Sequence, residues 1–303
     1  MLTGLLLSAA IMILFAGGFS SFILFLTSAN MLLVVSLWAL GVAAASFIFG
    51  IITKDYSWID RIYSILPVGF AWYYAYRSGF SLMLCVIAAS VTFWGARLSF
   101  NFARKGGYSG VEDYRWVFLR TKITNPLLWQ LFNLFFISLY QSGLFVLFTF
   151  PIYSLALSSG ETIPLLFLVF SAFGVVLVCF EFAVDQQQWN FHAAKKAAAE
   201  HKDYPPKYSD DVKNGFYSHG FFALSRHPNY FCELGFWWTI WLAAFSLSLF
   251  PVGSGIFGPF ALTCTMLGST FLGESISSSK YPEYKNYQKR VISPIIPWFS
   301  KRS

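Results

Sequence analysis

The stretch NMLLVVSLWALGVAAASFIFGII, residues 30–52, has no charged side chain and is long enough to cross the hydrocarbon of a bilayer, which takes about 20 helical residues. Nothing before it is charged either: from Met1 to Thr53 the chain carries no Asp, Glu, Lys or Arg. A cleavable signal peptide has a basic start and a short apolar core, so the expectation here is two retained spans. Over all 303 residues, 12% are charged, 56% hydrophobic and 20% aromatic, whereas a soluble domain is about a quarter charged. So few polar side chains cannot cover a soluble exterior, and the surface must face lipid.

Further apolar runs at 4–26, 79–100, 127–150, 163–184, 234–250 and 256–273 bring the membrane-length segments to seven. Between Arg61 and Arg77 lies IYSILPVGFAWYYAY, residues 62–76, which is shorter and carries Pro67; it reads as a tilted span or as a helix lying in the interface. The expected fold is all-α, a polytopic membrane helical bundle of seven to eight transmembrane helices in one domain, 1–303. No linker, low-complexity tail or repeat divides it.

Eight crossings from a cytoplasmic start put 53–61, 101–126, 185–233 and 274–303 on one side. Twenty of the 21 Lys and Arg then fall inside or at the cytoplasmic ends of spans, with Arg77 outside. The net charge of +7 is therefore a topological signal, and nucleic acid is not an expected partner. A positive cytoplasmic mouth suits an anionic cofactor or anionic lipid heads. The endoplasmic reticulum and a bacterial inner membrane both satisfy this orientation, with the C-terminus cytoplasmic. Cys85, Cys179, Cys232 and Cys264 stand singly without metal-ligand or CxxC spacing, so neither metal nor disulfide framework is expected.

The most specific feature is Arg226-His227-Pro228-Asn229-Tyr230-Phe231-Cys232-Glu233, at the entrance of the 234–250 run. Five polar groups at a span entrance are costly unless they satisfy one another or a ligand. The plainer reading is a helix start, with Pro228 in the first turn and Arg226 reaching lipid phosphate. Two other clusters accompany it. Glu112-Asp113-Tyr114-Arg115-Trp116 follows a glycine-rich loop, and Asp185-Gln186-Gln187-Gln188 follows a span and precedes an Ala/Lys-rich stretch, 192–201, that reads as a surface helix. Gly253-Ser254-Gly255-Ile256-Phe257-Gly258 satisfies GxGxxG, but it joins two apolar runs between Pro251 and Pro259. With no preceding strand or following soluble helix, it reads as a loop.

In order along the chain, Trp94-Gly95-Ala96-Arg97-Leu98 with Asn101 and Arg104, the 112–116 cluster, Glu181 with Asp185-Gln186, the RHPNY motif, and Tyr281-Pro282-Glu283-Tyr284 ahead of Pro294 and Pro297 resemble the steroid 5-alpha-reductase-like membrane enzymes. The resemblance covers 93–298 and leaves 1–92 as variable N-terminal spans. It implies an enzyme that uses NADPH to reduce a C=C bond conjugated to a carbonyl in a lipid-like steroid, sterol or enoyl substrate. It also implies a cofactor held by Arg97, Asn101, Arg104, Glu112, Asp113, Asp185, Arg226, His227, Asn229, Tyr230, Glu233, Trp237 and Tyr281. The chemistry of the residues agrees, since guanidinium forks on the cytoplasmic side suit phosphate.

Two positions depart from the family pattern. Cys232 stands where the family has glycine. The glutamate and tyrosine that polarise the substrate carbonyl in steroid reductases have no counterpart, because the first two spans hold no acid and Phe93-Trp94 replaces the tyrosine segment. An enone reductase still needs a donor at that oxygen. The expected substitutes are Tyr56, Tyr63, Tyr73, Tyr74 and Tyr76, with Glu181 or Glu274 behind them. Two other functions compete: an isoprenylcysteine-type methyltransferase using S-adenosylmethionine, which shares an RHP-type motif, and a non-catalytic lipid-binding protein that lost the donor.

Overall fold

The structure, a computed structural model, describes residues 27–158, 163–247 and 255–297. Helix α1 (Met31–Thr53) begins at Asn30, whose side chain accepts from the Leu32 amide at 2.9 Å, and stops at Lys54 in the left-handed region. A short α2 (Trp58–Ile62), a turn over 63–65 and α3 (Leu66–Arg77) follow. Then come α4 (Leu82–Arg104), α5 (Tyr114–Lys122), the long helix α6 (Pro126–Ala156), α7 (Leu165–Ala199), α8 (Ser209–Asn214), α9 (Pro228–Phe245), α10 (Phe257–Lys280) and α11 (Tyr284–Arg290). Among the described residues there is no strand.

Among the described residues, four helices, α1, α4, α6 and α7, are long and apolar enough to cross a membrane. Helices α9 and α10 stand outside that set because Asn229, Tyr230, Glu233 and three tryptophans lower the first and a run of Thr, Ser and Gly lowers the second. The expected 4–26 segment lies outside the described residues. Residues 62–76 form no single span: the turn at 63–65 leaves α3 with 12 residues, about 18 Å of rise. Helix α3 packs one face inside the bundle, where Phe70, Ala71, Tyr74 and Ala75 are completely buried, and leaves Trp72 and Tyr76 exposed on the other.

Two ends of the bundle are fixed by hydrogen bonds. At one, Arg77 donates to the Ala29 carbonyl at 2.8 Å and the Ser78 hydroxyl to the Ala156 carbonyl at 3.1 Å, so the start of α1 meets the ends of α3 and α6. At the other, Arg120 donates to the Lys54 carbonyl at 3.0 Å and Gln130 to the Tyr56 hydroxyl at 3.1 Å. This second end gathers most of the cations.

Helix α7 runs unbroken for 35 residues, about 52 Å. Asp185-Gln186 and the Ala/Lys stretch are thus parts of one helix that overshoots the hydrocarbon. It packs most extensively against α9. Trp94, Phe145, Phe148, Phe236 and Trp237 fill the centre without exposure, with Trp237 4.3 Å from Phe148 and 5.0 Å from Trp94. With lipid outside, such contacts hold the helices together by dispersion. Of the GxGxxG sequence, residues 253 and 254 lie outside the described residues, while Gly258 serves close packing: a Cβ there would stand 2.1 Å from the Leu147 carbonyl oxygen on α6.

Candidate functional site

At the cation-rich end a cavity of about 240 Å3 lies among α4, α6, α7, α9 and α10, beneath residues 60–64 and 113–115. Its geometry starts from Gly95. A Cβ at that position would fall 2.5 Å from the Ser64 carbonyl oxygen, so glycine lets α4 touch the turn before α3. That approach sets Tyr63 beside Trp94, with ring centroids 6.0 Å apart.

Arg97, one turn further along α4, is 5% exposed and bound by three carboxylates: Asp185 at 2.7 Å, Glu181 at 3.0 Å and Glu233 at 3.2 Å. Glu181 and Asp185 are four residues apart on α7 and share a face, while Glu233 enters from α9. Glu233 also accepts from Trp94 Nε1 at 2.8 Å and from the Tyr63 hydroxyl at 3.2 Å. The knot is incomplete, because Glu181 Oε2 and Arg97 Nε are buried with no hydrogen-bond partner among the described residues.

The 112–116 cluster closes the cavity at this end and is sewn to residues 55–61. Glu112 accepts from the Tyr56 amide at 2.9 Å and pairs with Arg120. The Asp113 amide donates to Ser57 at 2.8 Å, and Trp116 Nε1 donates to Asp60 at 2.7 Å. The Asp113 carboxylate caps α5 and holds the Arg115 guanidinium with both oxygens at 2.8 Å. Burial pushes the Asp60 carboxyl up to about 6, although the Arg115 charge pulls the other way.

Of the residues expected to bind cofactor, Arg97, Asn101, Asp113, Asp185, Asn229, Tyr230 and Glu233 line this cavity. Arg104 stands just behind it, donating to Asn101 at 2.9 Å and to Gln186 at 2.8 Å, with Nη2 buried and unpartnered among the described residues. The others lie elsewhere. Glu112 pins the loop. Arg226 forms a bidentate pair with Glu274 at 2.6 and 3.0 Å, and its Nη1 donates to the Val291 and Ile292 carbonyls at 2.5 and 2.8 Å. His227 joins the same carboxylate at 3.1 Å. Together they hold the C-terminal strap.

Trp237 belongs to the core, and Tyr281 accepts from Lys195 at 3.1 Å beside Gly215. Among the five tyrosines, Tyr63 alone lines the cavity. Tyr56 packs edge-on to Trp129, Tyr73 accepts from Arg77, Tyr74 is buried near Tyr153, and Tyr76 is exposed. Sequence reasoning missed Asp60, Gln141, Thr265 and Ser269 as lining residues. Asp60 carried a faint signal as an acid between Trp58 and Arg61; the others are single polar residues in apolar runs.

The family described as Protein of unknown function (DUF1295) matches residues 46–291. The uncharacterized protein C594.04c of Schizosaccharomyces pombe is 34% identical over 257 residues, covering 79% of this chain and 72% of its own length. No solved structure matches.

Proposed function

The chain belongs to the DUF1295 family, and we propose that it is a membrane reductase of the steroid 5-alpha-reductase-like kind, using NADPH to reduce a C=C bond conjugated to a carbonyl in a lipid-like substrate. The observation that carries this reading is Tyr63: a phenol at the wall of a cavity between apolar helices, backed by Glu233 at the head of the RHPNY helix. It supplies the donor type whose usual positions are empty in this sequence.

The donor set favours a dinucleotide divided by charge. Arg61 Nη1 and Arg104 Nη2 are buried without partners among the described residues, which leaves guanidinium N–H groups on two arginines for anionic oxygens. Arg61, next in sequence to the lining residue Asp60, and Arg104, bonded to the lining residue Asn101, would take phosphate; Asn101, Asn229 and Tyr230 offer amide and hydroxyl groups to the ring end. When bound, NADPH supplies hydride to the carbon β to the carbonyl. Tyr63 would lend its hydroxyl proton to the carbonyl oxygen as the C=C electron pair shifts toward it, and would take it back as the resulting enol becomes the saturated ketone, with the α carbon protonated from solvent. Glu233 accepts from the Tyr63 hydroxyl at 3.2 Å and orients it, and Arg97 fixes Glu233. Leu98, Phe102, Leu144, Phe145, Leu262 and Met266 exclude water and strengthen these interactions.

A second reading has one observation in its favour. The cavity holds more carboxylates than guanidiniums, and an S-adenosylmethionine sulfonium is a cation. Equilibrium binding of NADPH and of S-adenosylmethionine to detergent-purified protein separates the two. Saturable NADPH binding supports the reductase; adenosylmethionine binding alone supports a methyltransferase, and binding of neither supports a lipid-binding role.

A further inference from the structure

We infer that Glu181 is the docking point for a positive charge on the ligand, so that the cavity prefers the cationic member of a ligand pair that differs only in that charge. Three carboxylates face one guanidinium at 2.7 to 3.2 Å, leaving a surplus of two negative charges when all are ionised. The neighbouring arginine does not offset it, because Arg115 spends its fork on Asp113. Asp60 adds a further acid to the wall.

The independent observation is Glu181 itself. Its residue is 3% exposed, Oε1 is taken by Arg97, and Oε2 has no partner among the described residues although the residue lines the cavity. An acceptor left bare in a site walled by Leu144, Phe145 and Leu262 is expensive unless a ligand reaches it. A ligand cation would pair with the ionised Glu181 carboxylate, and in such surroundings one unit charge shifts affinity by at least about tenfold.

This inference deepens the reductase reading and, for its first probe pair, rests on it. A nicotinamide ring is neutral when reduced and carries one positive charge when oxidised. The acid surplus would therefore favour the oxidised ring and ease hydride departure, while the phosphates lie against arginine. A sulfonium has the same charge chemistry.

The test is equilibrium binding to the full-length, detergent-purified protein of two pairs: NADP+ against NADPH, and S-adenosylmethionine against S-adenosylhomocysteine. Wild type, Glu181→Gln, Glu181→Asp and Asp185→Asn are compared, with a melting curve of each. The expected result is that Glu181→Gln lowers the NADP+/NADPH affinity ratio at least about tenfold. Asp185→Asn should move it the same way, and Glu181→Asp, which keeps the charge, should preserve it.

The same pattern on the sulfonium pair alone would support Glu181 as a cation site and overturn the reductase. Both nucleotides binding with a ratio that Glu181→Gln leaves unchanged would overturn the inference and spare the reductase. A Glu181→Asp variant that loses the preference as fully as Gln would also overturn it. If wild type binds neither pair, both fall.

Discussion

Glu274→Gln is the substitution that should damage the fold most while leaving the cavity lining untouched. Glu274 on α10 accepts from Arg226 Nε and Nη2 at 2.6 and 3.0 Å, and from Gln288 at 2.8 Å, with His227 at 3.1 Å. Through Arg226 the same charge reaches the carbonyls of Val291 and Ile292, and the amides of Arg226 and His227 donate to those of Ser293 and Pro294. One carboxylate thereby joins α10, the start of α9 and the strap 291–295. The side chains of Arg226 and Glu274 are 9% and 7% exposed, so the pair is shielded from solvent and breaking it strands a buried guanidinium.

Losing one partner of such a pair costs about 3–5 kcal/mol. Arg226→Ala should cost about the same, and the double variant should be no worse than the worse single, a coupling of at least about 3 kcal/mol. Thermal unfolding in detergent measures the series, and limited proteolysis reads release of the strap. A loss under about 1 kcal/mol for Glu274→Gln, or additive single effects, would refute the clamp.

Tyr63→Phe should lower turnover about 100- to 1,000-fold, the usual cost of one oxyanion donor, while the melting temperature stays close to wild type because Glu233 keeps Trp94 and Arg97. Tyr73→Phe and Tyr76→Phe, away from the cavity, should leave turnover unchanged in the same enone assay. Gly258→Ala should lower stability in detergent by about 1–3 kcal/mol by pushing α10 off α6, whereas Gly268→Ala, whose Cβ meets nothing within 4 Å, should be neutral or slightly stabilising. Asp60 holds its proton to about pH 6 in the folded protein and to about pH 4 unfolded, so its contribution is full below pH 4 and is lost as pH rises through 6. Measured against Asp60→Asn across that window, wild-type stability should fall relative to the variant by at most about 3 kcal/mol.

Hydropathy carried much of the fold into view. Residues 30–52 and 79–100 correspond to α1 and α4 because lipid-facing helices need no polar face, and apolar length alone marks them. It misled at 62–76 as a candidate span, where the turn at 63–65 breaks the run and Tyr74 and Phe70 are packed inside the bundle. At the site, Arg97, Asp185 and Glu233 stood out as polar groups at span ends, and they meet. Arg226 stood out for the same reason and faces the strap, because a guanidinium at a helix entrance has the same local sequence whichever way it turns. Tyr63 could not be singled out among five tyrosines, since its role depends on Gly95 meeting Ser64, 31 residues away in sequence.

The most direct test of the central claim is hydride transfer itself: purified protein, NADPH deuterated at the transferable C4 position, and a panel of steroid, sterol and enoyl ketones, with products read by mass spectrometry. The account predicts one deuterium at the carbon β to the carbonyl of a reduced lipid, with the signal lost in Tyr63→Phe. Saturable NADPH binding absent in wild type, together with no labelled product from any enone, would contradict it.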